Sequence, residues 1–169
     1  MRYRGLDDYG EPRAVQIVTS GEPFSSSRAL VEENGLMPYA DMREFLGRLE
    51  SEGELARVKA EVDPVYEIGA ISRRVLDARG PALLFENVKG AEMPLAVNLL
   101  ASRKRYAWAC DMTLATFNHA WIERTSNPVE PVMVESAPCK EVILEGDDVD
   151  LYKLPIPTWN SLDGGPYLT

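Results

Sequence analysis

Few residues in this chain are of the types that do chemistry near neutral pH. It has one histidine, His119, and two cysteines, Cys110 and Cys139, in 169 residues. His119 stands two positions from both Phe117 and Trp121 in a helical pattern, off their apolar face. That placement reads as a helix-surface or boundary histidine, with a catalytic base as the minor alternative. Two cysteines cannot build a disulfide framework or a zinc site alone. The N-terminus lacks the apolar stretch of a secretory signal, so they read as reduced, buried, inert thiols of a cytoplasmic protein. No serine stands in a Gly-x-Ser-x-Gly elbow, and the Gly-x-Gly-x-x-Gly and phosphate-loop patterns are absent. No two carboxylates are marked out by spacing as a general acid and base. Asn87 and Asn98 follow or interrupt apolar runs, where they could read a ligand or, more commonly, satisfy backbone groups in turns. Asp163-Gly164-Gly165 is a turn signal whose glycines would also let a backbone approach a ligand. On local chemistry the turn is the stronger reading.

Charge narrows the partners. The net charge is −9 and the densest basic run is Arg103-Lys104-Arg105, which argues against a nucleic-acid surface. Seven acids (Glu130, Glu135, Glu141, Glu145, Asp147, Asp148 and Asp150) face one Lys140 between residues 130 and 150. They read as a solvated face or loop, because the spacing of a calcium loop is missing. The apolar runs are far too short to span a membrane.

The elements that must position these residues follow from periodicity. Residues 1–36 read as a tail or arm, with Ser25-Ser26-Ser27 and scattered glycines. Within it Val15-Gln16-Ile17-Val18 suits a short strand on a neighbouring element, and Met37 is an alternative start. Asp41 and Glu44 have capping-box spacing ahead of Met42, Phe45, Leu46 and Leu49, one face of a helix that Gly53 stops. Ala56, Val58, Ala60 and Val62 alternate with Arg57, Lys59 and Glu61, which predicts a half-buried strand. Asp63-Pro64 predicts a helix start with proline at its first position, carried on by Ile68, Ile71, Val75 and Leu76 and ended by Gly80-Pro81. Buried strands are expected at 82–85 and 95–100. Ser102 caps a helix through Trp108, and another runs from about Thr113 to Arg124 with Leu114, Phe117, Trp121 and Ile122 on one face. This mixture is α+β. From Asn127-Pro128 onward, short valine and isoleucine runs split by Pro128, Pro131 and Pro138 have all-β texture. The expected division is 1–36, 37–127 and 128–169. Tyr167-Leu168-Thr169 reads as a strand beginning, and a strand needs a partner, from another subunit or from further sequence.

Taken in order, several pieces of the chain resemble the amino-terminal part of UbiD-like decarboxylases. They are Asp41-Met42-Arg43-Glu44-Phe45-Leu46, Glu52-Gly53-Glu54-Leu55, Glu61-Val62-Asp63-Pro64, Ile71-Ser72-Arg73-Arg74-Val75 and Gly80 to Gly90. Asn98-Leu99, Ser102-Arg103, Gly146 to Leu151 and Lys153-Leu154-Pro155-Ile156-Pro157 follow. Trp159-Asn160 with Asp163-Gly164-Gly165-Pro166-Tyr167 looks like the subgroup acting on aromatic acids. The resemblance covers about residues 37–169.

It implies a small amino-terminal α+β domain followed by the first strands of a split β-barrel, similar to flavin reductases, that binds prenylated FMN. For the complete enzyme it implies reversible decarboxylation of an aromatic or α,β-unsaturated acid, a divalent metal (manganese) and an oligomer, homomeric or with partner subunits. In that family an Asn, a His and a Glu hold the metal, and a Glu-Arg-Glu network handles substrate and proton. All follow the Asp-Gly-Gly strand, and none has a counterpart in residues 1–169. Asn160 is therefore not taken as a metal ligand, and no catalytic, metal or cofactor-binding residue is assigned. The chain alone is expected to lack the active site. The alternative is a free-standing, non-catalytic subunit or interaction module of a decarboxylase complex.

Overall fold

The computed structural model describes residues 39–128, 130, 131, 133, 135 and 140–168, and the backbone of residues 2–6 and 12–18. Met37, the 25–27 serine run, Cys139, Val129, Val132, Val134, Pro138 and Thr169 lie outside the described residues.

Five strands form one sheet in the order β1 (Arg2–Leu6), β2 (Pro12–Val18), β3 (Leu55–Val58), β4 (Ala82–Phe85) and β5 (Leu95–Val97). The strand read at residues 15–18 is therefore present. It extends β3 antiparallel, Ile17 opposite Val58 and Val18 opposite Arg57. Strands β3 and β4 run parallel, with Leu55 opposite Ala82 and Val58 opposite Phe85. A parallel pair needs a crossover, and helix α2 (Glu67–Asp77) supplies it. The fold is α+β, with helices α1 (Met42–Ser51), α3 (Arg103–Ala109) and α4 (Phe117–Ser126) completing the order.

Helix α1 begins as its sequence dictates. The Asp41 carboxylate accepts the Glu44 N–H at 3.0 Å, while Glu44 reaches back to the Ala40 N–H at 2.7 Å, one residue before the usual capping-box target. At its end Gly53, at φ +71°, donates to the Glu50 carbonyl and Glu54 donates to that of Leu49, a closing pattern that favours a residue without Cβ.

Two cores sandwich the central strands. Because side chains alternate across a strand, Ala56, Val58, Leu83 and Phe85 meet Ile68, Ile71 and Val75 of α2 on one face. Leu55, Ala82 and Leu84 meet Phe45, Leu46 and Leu49 of α1 on the other, with Trp108 of α3 against them. Burying each of these large side chains contributes roughly 1.5–3 kcal/mol.

This double cover corrects the half-buried strand expected over Ala56–Val62. All four residues of β3 are buried, Arg57 among them, because helices lie on both faces. Helix α2 also begins later than Asp63-Pro64 predicted. The Pro64 carbonyl and the Tyr66 N–H are both bonded to Thr158, which puts Val65 in a bridge between two turn residues, and helix starts at Glu67. Strand β5 stops at Val97, short of Leu100, because Asn98 turns the chain with φ +59°. Helix α4 starts at Phe117 rather than Thr113 and buries none of its residues. Leu114 and Ile122, expected on its packed face, are exposed.

The β texture after residue 128 does not become strands among the described residues. Two single-turn 3-10 helices, Gly146–Asp148 and Leu151–Lys153, and one isolated bridge from Thr158 to Val65 are present instead. Val142, Ile143 and Leu144 are exposed and have no described ladder partner, without which strands do not persist.

Candidate functional site

The residues singled out by type are not brought together. His119 is exposed on α4. Cys110 is half-buried at the end of α3, where its carbonyl accepts from Arg124 at 2.6 Å. Asn98 donates its amide to the Ser72 carbonyl at 2.9 Å, so it satisfies backbone. Asn87 is exposed, and its carbonyl accepts the Val62 N–H at 3.0 Å. The acids Glu130, Glu135, Glu141, Glu145, Asp147, Asp148 and Asp150 are exposed. The basic run is divided by its helix: Arg103 donates to Asn118, while Lys104 and Arg105 both meet Glu54, at 2.5 and 2.7 Å. Asp163-Gly164-Gly165 lies in a turn, with the Asp163 carboxylate accepting the Asn160 N–H at 2.9 Å.

Sequence reasoning missed two ion clusters, each built on a buried arginine. Arg57 donates to both carboxylate oxygens of Glu50, at 2.7 and 2.8 Å, and to Glu86 at 2.6 Å. The bond from Arg57 holds Glu50 below its ordinary carboxylate range, and Glu50 in turn raises Arg57. In the second cluster burial works to raise Glu54. The bonds from Lys104 and Arg105 outweigh it and hold the group low. Arg105 is only 3 % exposed and also bonds the Gly80 carbonyl at 3.2 Å. Glu50 and Glu54 are thus held charged, with no shift toward a proton-carrying form, so both clusters tie elements together. The signal that could have found the first is a lone arginine between Ala56 and Val58 in an otherwise apolar strand.

What the described residues do build is a seam between the entry to α2 and residues 151–168. Thr158 donates its N–H to the Pro64 carbonyl at 3.0 Å and accepts the Tyr66 N–H at 2.9 Å. Trp159 packs on the α2 core, and its backbone lies so close to Gly69 that a Cβ there would stand 2.7 Å from the Trp159 carbonyl oxygen. Beside this contact opens an apolar groove of about 580 Å³ lined by Pro64, Val65, Ala91, Leu154, Ile156 and Tyr167. Lys89 lines it too and pairs with Asp63 at 2.9 Å. Burial works to raise Asp63. The Val65 N–H and Lys89 outweigh that and leave it low.

A second, open cleft of about 450 Å³ runs along α3 and α4. Tyr106 stands edge-on to Phe117, with centroids 5.5 Å apart, and 5.4 Å from Trp121.

Neither place fits a flavin phosphate held through a divalent metal. Among the described residues no three His, Cys, Asp or Glu side chains converge, and Lys89, the cation lining the groove, already carries a carboxylate partner. No helix among the described residues is long and apolar enough to cross a membrane.

Comparison with known proteins places this architecture. Residues 46–125 match the family model of the 3-octaprenyl-4-hydroxybenzoate carboxy-lyase N-terminal domain, and residues 131–169 match that of the Rift-related domain of the same carboxy-lyase. Among solved structures, an evolved dimeric form of the UbiD-class enzyme HmfF from Pelotomaculum thermopropionicum, in complex with prFMN, is 39 % identical with a TM-score of 0.68. That alignment covers 76 % of this chain and 30 % of the other. Vanillic acid decarboxylase from Sedimentibacter hydroxybenzoicus is 35 % identical, TM-score 0.65, over 76 % of this chain and 30 % of that one. The 3,4-dihydroxybenzoic acid decarboxylase of Klebsiella pneumoniae is 30 % identical, TM-score 0.63, over 75 % and 29 %. The chain thus spans about 30 % of the length of these relatives. With the amino-terminal and Rift-related models matched in sequence order, and the same α+β architecture in these enzymes, the chain belongs to the UbiD family.

Proposed function

We propose that this chain is the front part of a decarboxylase that acts reversibly on an aromatic or α,β-unsaturated carboxylic acid with prenylated FMN. The observation that carries the reading is the ordered match of two carboxy-lyase models across residues 46–169. The relatives add substrate class: two are decarboxylases of aromatic acids, and one is in complex with prFMN. In this reading residues 37–127 are the amino-terminal domain and 128–169 open a split β-barrel that binds the cofactor. Residues 1–36 are a tail or arm.

Loss of carbon dioxide from an sp² carbon leaves a poor carbanion, so it needs an electron sink, the chemistry that prenylated FMN supplies. The described residues offer no converging ligands for that group, so no step of the reaction is assigned to them. Their part in this reading is structural: the α2 entry holds Thr158, well inside the Rift-related segment, through two backbone hydrogen bonds. Manganese, a cytoplasmic setting, and assembly with copies or partner subunits belong to the same proposal.

The test is co-expression with the flavin prenyltransferase. The purified 169-residue chain is expected to carry no flavin absorbance; a stoichiometric yellow cofactor would put the site on this chain. Intact mass from the native cell separates an enzyme part from a free-standing subunit. A species near 18.8 kDa favours the subunit, and a much larger one favours the enzyme part.

A further inference from the structure

We infer that residues 156–159 form a releasable clasp that seats the Rift-related segment on the entry to α2, and that Gly69 is the positioning residue that lets the clasp close. The ladder is one residue long. Thr158 makes both interstrand bonds, and the Ile156 N–H bonds back to Leu154 at 2.8 Å instead of across the seam. Side chains supply the rest: Pro157 and Thr158 are buried and Trp159 lies on the α2 core, while residues 160–162 beyond them are exposed, as are 151–153 before the half-buried 154–156. An anchor flanked on both sides by exposed chain opens as a local unit rather than with the whole core.

Gly69 sits in the first turns of α2, where glycine weakens a helix relative to alanine. The helix therefore gives no reason for it, and the seam does. A Cβ would meet the Trp159 carbonyl oxygen at 2.7 Å and its Cα at 3.3 Å, both backbone atoms that cannot swing aside. Tyr66 adds strain at the same place. It holds φ +68°, which bulky L-residues rarely adopt, while its N–H is engaged by Thr158. A strained residue, a one-residue ladder and a glycine-dependent contact converge on one seam that can part while the sheet stays whole.

Gly69→Ala tests this, because helix propensity and clasp closure push in opposite directions. In the full chain, amide exchange at Thr158 and Tyr66 is expected to accelerate about tenfold or more, while Leu83 and Phe85 of β4 stay within about twofold of the parent. Trp159→Ala, which removes packing without adding a Cβ, is expected to give the same selective loss. Unchanged protection of Thr158 in Gly69→Ala would overturn the inference. So would equal acceleration in β4, or failure of either variant to fold, since clasp and core would then be one unit.

Discussion

Strand β3 and the segment around Thr158 both pair through the backbone with distant parts of the chain, and they differ in what covers them. β3 pairs with β4 over four positions, has β2 on its other edge, and lies between the α1 and α2 cores. Thr158 has one bridge, to Val65, and its neighbours beyond Trp159 face water. The same hydrogen bond therefore carries different weight in the two places. A ladder persists where apolar cover excludes water from it, and β texture without such cover stays as turns.

Phe85 is fully buried, and Phe85→Ala is expected to cost about 3–5 kcal/mol. Ile143 is 67 % exposed, and Ile143→Ala should stay within about 0.5 kcal/mol. Denaturant midpoints of the two variants measure the contrast; equal losses would refute a core confined to the sandwich.

A smaller effect concerns the charge inside that sandwich. Arg57→Ala strips Glu50 and Glu86 of their buried partner, and the expected cost is about 2–3 kcal/mol from the lost charged hydrogen bonds. Arg57→Met with Glu50→Gln should recover part of it, because a buried charge is no longer left alone. Thermal unfolding of the single and double variants reads the difference.

The smallest expected effect is acid sensitivity. Glu50 and Glu54 are held below their ordinary carboxylate value in the folded chain. Their stabilisation is therefore complete above the unfolded-state value and lost as pH falls through the folded one. The melting temperature should drop as pH is lowered from about 5 toward 3. Glu54→Gln should flatten that acid limb, and an unchanged limb would count against the Glu54 cluster.

Local signals were legible in the sequence where they were also sufficient. The Asp41 and Ser102 caps, the Gly53 stop and the apolar run at 82–85 need only their neighbours, and they appear as read. Asp163 likewise acts on turn backbone three residues away, whereas Asn98 satisfies the distant Ser72 carbonyl. What escaped was set from a distance. Nothing next to Pro64 announces that Thr158 will take its carbonyl and delay α2. Nothing next to Arg57 announces that a second helix will cover its face. Helix α4 shows the converse, since Leu114, Trp121 and Ile122 have helical spacing and yet stay exposed. The seam left one trace, Gly69 inside a helix where propensity disfavours it.

Hydrogen exchange on the intact chain tests most directly the claim that a sheet covered on both faces carries a segment held, among the described residues, at the Thr158 seam. The account predicts strong protection across β3 and β4, intermediate protection confined to Tyr66 and Thr158, and near-free exchange from 140 to 150. Uniform protection from 39 to 168 in a proven monomer would contradict it.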